Sequence, residues 1–320
     1  MSGRTIRIAT RSSELALRQA RIVEAALEER GFACELVTFK TVGDKKLDEP
    51  LSAIGAKGLF THELEVALSK GKVDCCVHSL KDLPTESPEG LEIGAILARE
   101  DPRDVLVVNP VTQADDLMSL PAGSRVGTSS LRRRAQLLAF RPDLEVVELR
   151  GNVPTRLRKV DQGQVHAAIL AAAGLIRLNA QQHIKQFLEP PGWLPAAGQG
   201  AIAVQIRSDD DEMREQLRPL NHGPTDIAVR AERSFLSALE GGCQVPIGAL
   251  AVADARGSLM LFGYVSDVFG RDPVRGSWPV DVDAPEQAGL ALAADLRTRG
   301  ATSLLMELRN SQQLISPQPE

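Results

Sequence analysis

Aromatic side chains are nearly missing from this chain, at 3% of 320 residues with a single tyrosine. Proteins that hold single-stranded nucleic acid stack its bases on aromatic faces, so that class of partner has no platform here. Surplus positive charge is missing as well. A formal net charge of -5 argues against a general nucleic-acid or membrane-surface protein, because both depend on excess Lys and Arg. Any basic site must therefore be local. No apolar run reaches the ~18 residues that suggest a bilayer span. The N-terminus enters the strand-like Ile6-Arg7-Ile8-Ala9 without a signal-peptide pattern, which sets the expectation of a cytoplasmic protein with no membrane partner. Cysteine is scarce too. Of the four, Cys75 and Cys76 are adjacent in an apolar strand pattern, a poor disulfide framework without metal-ligand spacing. Free thiols and no metal site are expected.

The chain is long enough for two or three domains, and its 43% apolar content can fill their cores. Strand and helix alternate through the first hundred residues. Ile6–Ala9 reads as a strand, Glu14–Arg30 as an amphipathic helix closed by Gly31, and Cys34–Phe39 as a second strand. The polar stretch Thr41–Lys57 is too long for a plain connector and reads as a lid or binding loop. A helix over Thr61–Lys70 leads to the buried strand Val73–Ser79, whose carboxyl end carries Lys81 and Asp82. Open α/β sheets form their crevice at such ends. A second α/β unit follows Asp101-Pro102-Arg103-Asp104, with strands at Val105–Val108, Ser124–Ser130, Leu144–Leu149 and Ala167–Leu170 and a helix over Leu131–Phe140. Ala201–Ile206 reads as a strand that crosses back into the first unit. The last hundred residues group strands (Ile247–Ala253, Leu259–Val265, Gly276–Val282) before helices (Pro285–Arg299, Ala301–Leu308), as α+β domains do. The fold class is thus α/β, with two periplasmic-binding-protein-like lobes around a cleft plus a C-terminal α+β domain. The expected divisions are 1–98 with 200–218, then 99–199, then 219–320.

Three features are candidates for chemistry. Between Arg99 and Arg177 there are eleven arginines against one lysine, Lys159. The guanidinium fork binds carboxylate or phosphate through paired hydrogen bonds and stays charged at any relevant pH. Gly127-Thr128-Ser129-Ser130 adds backbone N–H groups and hydroxyls at a helix N-terminus, with Arg132 and Arg133 on its first turn. Helix faces salt-bridged to Glu145 and Glu148 would use some of the same arginines, Arg134 and Arg158 first. Asp82 is the second feature. It is either a turn-former before Pro84 or, in a cleft of cations, a proton-transfer group and the one negative charge facing a developing cation. His78, inside its strand, reads as a hydrogen-bonded core histidine. The third feature is Cys243, set after Gly241-Gly242 where a helix beginning near Pro224 stops. It is either a small buried filler or a thiol on a loop with open space beside it.

Several ordered motifs tie these features together. They are Arg7-Ile8-Ala9-Thr10-Arg11-Ser12-Ser13, Gly58-Leu59-Phe60, Val77-His78-Ser79-Leu80-Lys81-Asp82-Leu83-Pro84 and Arg99-Glu100-Asp101-Pro102-Arg103-Asp104. Further on come Val126–Arg133 (VGTSSLRR), Leu149-Arg150-Gly151-Asn152, Thr155-Arg156-Leu157, Ala197-Gly198-Gln199-Gly200-Ala201 and Glu240–Gly248. In this order they resemble the porphobilinogen deaminase family from residue 4 to about residue 250; the segment beyond Gly248 carries little of the likeness.

The resemblance implies a transferase of tetrapyrrole biosynthesis that joins four porphobilinogen molecules head to tail, releasing ammonia, to give hydroxymethylbilane. The chain grows on a dipyrromethane cofactor held by a thioether, here to Cys243. Asp82 would be the catalytic residue, assisting loss of the amine and later removal of a ring proton. Lys81, Ser13, Thr128, Ser130, Arg132, Arg133 and Arg156 would hold the cofactor, and Arg11, Arg150, Arg177, Lys57 and Gln199 the substrate. The loop Thr41–Lys57 resembles the family's active-site cover. A monomer is expected. The alternatives are a two-lobed anion-binding protein without catalysis, a cysteine acyltransferase, for which no histidine stands credibly beside Cys243, and a relative that has lost the activity.

Overall fold

The computed structural model describes residues 5–41, 60–239, 245–254 and 256–307. The first unit opens with β1 (Ile6–Arg11), α1 (Glu14–Glu28) and β2 (Cys34–Phe39). Ser13 caps α1 by accepting from the Ala16 N–H at 3.3 Å, and Gly31 takes a φ of +85° just past the helix, so α1 stops two residues short of the expected Arg30. Then come α2 (His62–Ser69), β3 (Cys75–Ser79) and β4 (Leu91–Ile96). β3 is buried on both faces, which is why it reads as an unbroken apolar run. β4 has no counterpart in the sequence reading: Glu92 and Gly94 interrupt its apolar pattern.

The second unit is built from β5 (Asp104–Val108), β6 (Arg125–Gly127), α3 (Leu131–Phe140), β7 (Glu145–Val147), α4 (Val153–Asp161), β8 (Ala167–Ala171), α5 (Ala172–Arg177) and β9 (Gln186–Leu188). β10 (Ile202–Arg207) then re-enters the first sheet, antiparallel to β3 and β4. The resulting strand orders are β2-β1-β3-β10-β4 and β7-β6-β8-β5-β9. These are the same arrangement twice. In each sheet four strands run in one direction, and the one contributed across the lobe boundary, β10 or β5, is antiparallel to both its neighbours. No repeat is legible in the sequence, so the duplication lives in topology alone.

The two crossing segments are bonded to each other: the Leu97 N–H donates to the Ile202 carbonyl at 3.0 Å and the Glu100 N–H to that of Gly200 at 3.1 Å. Gly200 has a φ of +88°, and a Cβ there would lie 2.3 Å from the Glu100 carbonyl oxygen. Glycine is what allows the segments to touch.

After α6 (Asp211–Leu217) and α7 (Gly223–Ala238), the antiparallel meander β11 (Ile247–Ala253), β12 (Leu259–Val265) and β13 (Val274–Pro279) packs against α7 and α8 (Pro285–Leu296). Phe235, Leu261, Leu292 and Leu296 are at the centre of this core. β13 lies earlier than the expected Gly276–Val282, because its pairing runs from Val274 opposite Val265 to Pro279 opposite Met260. The expected helix over Pro285–Arg299 leaves α geometry after Leu296, where a wider turn through Gly300 begins. The expected helix stop at Gly241 and most of the loop Thr41–Lys57 lie outside the described residues.

Candidate active site

The carboxyl ends of β1, β3 and β8 gather at the crossing segment Gln199–Ala201, as open α/β sheets arrange their crevices. Two adjoining pockets occupy this junction. One, of ≈ 420 Å³, is lined by Arg11, Ser13, Phe60, His78 and Asp82; the other, of ≈ 500 Å³, by Lys81, Arg133, Arg156, Arg177 and Gln199; both share Leu15, Gln19 and Ser79. Eight of the residues singled out from sequence therefore converge. Thr128, Ser130, Arg132 and Arg150 line neither pocket. Lys57 and Cys243 lie outside the described residues.

Lys81 and Asp82 share a 3₁₀ turn, Leu80–Asp82, directly after β3. The Lys81 ammonium donates to Gln199 Oε1 at 3.2 Å. Burial, reinforced by Arg133, pushes its pKa down to about 8, while Asp82 and Asp104 oppose the shift. Arg156, on α4, donates from Nε to the Gly151 carbonyl at 2.9 Å. Burial with Arg133 and Arg150 brings its guanidinium down to about 10, against the pull of Asp82. Asp82 is thus the carboxylate on the cleft wall whose field both cations feel. Arg177 donates from Nη2 to the Gly200 carbonyl at 2.6 Å, and burial lowers its pKa. Arg11 lies over the Phe60 ring at 4.3 Å, and Ser13 is at once a helix cap and part of the pocket wall.

The hydroxyls of Gly127–Ser130 are engaged locally. Ser130 Oγ caps α3 by accepting from the Arg133 N–H at 3.4 Å, and Thr128 Oγ1 accepts from the Ser130 N–H at 3.2 Å. Arg150 pairs with Glu148 at 3.3 Å. Arg134 lies 5.8 Å from the Phe269 ring and Arg158 donates to Thr155, so the acids expected to claim those two are not what the structure gives them. His78 is a core histidine as expected: its Nε2 is 3.2 Å from Gln205 Oε1 and burial brings its pKa down to about 4. Cys75 and Cys76 are buried thiols whose pKa burial raises. Among the described residues no His, Cys, Asp or Glu cluster could hold a metal ion.

At the lobe junction two buried carboxylates were not singled out as site residues from sequence. Asp104, fully buried at the start of β5, pairs with Arg132 at 2.6 Å and Arg133 at 2.7 Å. Burial works to raise its pKa, but the two guanidiniums prevail and hold it far below the usual carboxylate range. Glu232, on α7, pairs with Arg99 at 2.6 Å. The available signal was an acid at the edge of an apolar run, where an unpaired charge is too costly to tolerate.

Two α/β lobes of like topology with a cation-lined cleft, and a third α+β domain, define a two-lobed, periplasmic-binding-protein-like fold with an added domain. The family model described as "Porphobilinogen deaminase, dipyromethane cofactor binding domain" matches residues 6–215, and the model of that deaminase's C-terminal domain matches residues 227–298. The likeness therefore extends beyond Gly248, where the motifs give out. A porphobilinogen deaminase from Moorella thermoacetica is 53% identical over 306 residues, 95% of this chain and 96% of that one. One from Syntrophobacter fumaroxidans is 49% identical over 96% of this chain and 99% of its own. The chain belongs to the porphobilinogen deaminase family. Among solved structures, the methionine-binding protein MetQ aligns over 74% of this chain and 94% of its own at 15% identity and a TM-score of 0.42, a superposition too loose to bear on function.

Proposed function

We propose that this chain is a porphobilinogen deaminase: a transferase that joins four porphobilinogen molecules head to tail, with release of ammonia, to give hydroxymethylbilane, on a dipyrromethane cofactor linked by a thioether to Cys243. The observation that carries the reading is the convergence of Lys81, Arg133, Arg156 and Arg177 on one pocket beside the one carboxylate that the described residues put on these walls, Asp82. Each pyrrole of substrate and cofactor bears an acetate and a propionate. A row of fixed cations suits such a ladder of carboxylates, each charge-assisted hydrogen bond contributing about 1.5–3 kcal/mol.

When bound, the dipyrromethane supplies the nucleophilic ring carbon from which the product grows. The chain's own residues do the rest. Lys81, Arg133 and Arg156 anchor carboxylates of the cofactor and Arg11 and Arg177 orient the incoming substrate, with Ser13 and Gln199 on the same walls; Thr128, Ser130, Arg132 and Arg150, which line neither pocket, and Lys57, outside the described residues, keep only the roles that the family resemblance implies. Asp82 delivers a proton as the substrate's C–N bond breaks, so that the amine leaves as ammonia. Its carboxylate then stands against the cation left on the methylene carbon. Once the new C–C bond forms, it accepts the proton shed by the attacked ring. The divisions at 1–98 with 200–218, 99–199 and 219–320 are supported by the three separate sheets. We take it to be a cytoplasmic monomer, as the family resemblance implies; among the described residues no helix is long and apolar enough to cross a membrane. The test is an intact-mass measurement joined to a porphobilinogen consumption assay. We expect a dipyrromethane increment that maps to Cys243 and disappears in Cys243→Ser; a bare-chain mass with no substrate consumption would leave the non-catalytic anion-binding protein as the reading.

A further inference from the structure

Asp104 touches neither pocket, yet its two oxygens gather five hydrogen bonds. Oδ1 accepts from Arg133 Nε at 3.1 Å, Arg133 Nη2 at 2.7 Å and Gln199 Nε2 at 2.9 Å; Oδ2 accepts from Arg132 Nη1 at 2.6 Å and Trp193 Nε1 at 2.9 Å. That fills the acceptor capacity of an ionised carboxylate. Gln199, 1% exposed, makes the next step. Its amide nitrogen also donates to the Pro102 carbonyl at 2.7 Å, so both of its protons point at acceptors. An amide with both donors committed in this way cannot flip without setting its oxygen against two other oxygens. Gln199 Oε1 is thereby aimed at Lys81, whose ammonium it meets at 3.2 Å. Arg133 is fixed by the same anion on one side and by the Ile169 carbonyl at 3.0 Å on the other. A carboxylate on the second lobe therefore orients one cation of its own lobe and, through the crossing segment, one of the first.

We infer that Asp104 is a positioning residue for carboxylate binding: it holds Arg133 directly, and Lys81 through Gln199, in the orientations from which they meet cofactor and substrate. The inference rests on the proposed activity. An asparagine in its place would offer one acceptor oxygen where two are needed and would turn an N–H₂ toward a guanidinium or toward Gln199. Gln199 would then be able to rotate and face Lys81 with donors.

The test compares three variants of the cofactor-loaded enzyme, with near-UV circular dichroism as the check of fold. Asp104→Asn should raise KM for porphobilinogen at least about tenfold while kcat changes less than about threefold, the pattern of lost binding rather than lost chemistry. By intact mass, a smaller share of its chains should carry the cofactor. Gln199→Met, which cuts the link from Asp104 to Lys81 together with the bond to the Pro102 carbonyl and leaves Arg133 on Asp104, should raise KM several-fold. Trp193→Phe removes a bond to the same carboxylate on the side away from the cleft, and should leave KM within about twofold. If Asp104→Asn does not fold, the contrast of Gln199→Met with Trp193→Phe decides. Equal KM values in those two, or a folded Asp104→Asn with wild-type KM and full cofactor loading, overturn the inference alone. A wild-type chain that consumes no porphobilinogen removes the proposed activity and this inference with it.

Discussion

Replacing Glu232 by Gln should lower the melting temperature by about 6–15 °C. The carboxylate is 0% exposed and accepts four hydrogen bonds: from Arg99 Nη1 at 2.6 Å, Arg99 Nη2 at 3.0 Å, the Gly198 N–H at 2.7 Å and the Ala251 N–H at 2.9 Å. These donors come from both crossing segments and from β11, so one side chain of α7 ties the third domain to the lobe junction. Glutamine preserves the shape but turns an N–H₂ toward donors, and it leaves the Arg99 guanidinium, 11% exposed, without its anion. Removing one partner of such a buried pair costs about 3–5 kcal/mol, against a total stability of about 5–15 kcal/mol. At about 2–3 °C per kcal/mol for a chain of this size, the stated fall in melting temperature follows. Scanning calorimetry of wild type, Glu232→Gln, Arg99→Met and the double variant measures it. The double variant should be less destabilised than the sum of the singles by about 2 kcal/mol, because the second change removes the charge that the first one strands. Additive losses, or a single-variant shift under about 2 °C, would refute the reasoning.

The remaining predictions concern the cleft and the strand beneath it. Asp82→Asn should keep the cofactor mass and lose more than about 100-fold in turnover; substantial residual rate would remove Asp82 from the proton path. Arg177→Lys keeps the charge but not the fork that anchors on the Gly200 carbonyl, so its KM should rise about as far as that of Arg177→Ala, roughly tenfold. A normal KM in the lysine variant would mean that charge alone suffices. His78 titrates near 6.5 when unfolded and near 4 when folded. Between those values the unfolded chain binds the extra proton, so stability falls as pH drops through the window, by about 3 kcal/mol in all. Urea titrations of His78→Gln between pH 7 and pH 4 should show that much less acid sensitivity than wild type, and equal curves would show that the histidine is not the titrating group.

Most of the architecture was legible because buried strands announce themselves. β2, β11 and β12 have the bounds read from Cys34–Phe39, Ile247–Ala253 and Leu259–Val265, each an apolar or alternating run between turn residues. β4 and β9 lie at sheet edges as β2 and β11 do, but Glu92 and Gly94 break the apolar pattern of β4 and β9 is only Gln186–Leu188, too short to show a period. The return of the chain through β10 was readable from Ala201–Ile206. The twofold likeness of the sheets was not, since equivalent strands share a place in the fold and not their side chains. In the site, residue types pointed to the cations and to Asp82. What a linear reading lacks is the list of partners. Asp104 and Glu232 look like ordinary surface acids until the fold places them beside Arg132, Arg133 and Arg99, and only there does burial become affordable.

Those partners also account for the choice of arginine in a chain with an overall negative charge. Three of the cleft guanidiniums are committed on one side to the protein: Arg133 to Asp104 and the Ile169 carbonyl, Arg156 to the Gly151 carbonyl, Arg177 to the Gly200 carbonyl. Five donors in a rigid plane allow one edge to anchor while the rest of the head group lines the pocket. A lysine has a single nitrogen and no second edge; Lys81, the one lysine that the described residues put on this wall, instead borrows an anchor from Gln199. Anchoring settles the entropy of the side chains before any ligand arrives, so binding spends less on ordering them. A ligand that lengthens by one dicarboxylate unit at each turn needs its cations in place at every stage, and flexible charges on the surface of an acidic protein would have to be gathered anew each time.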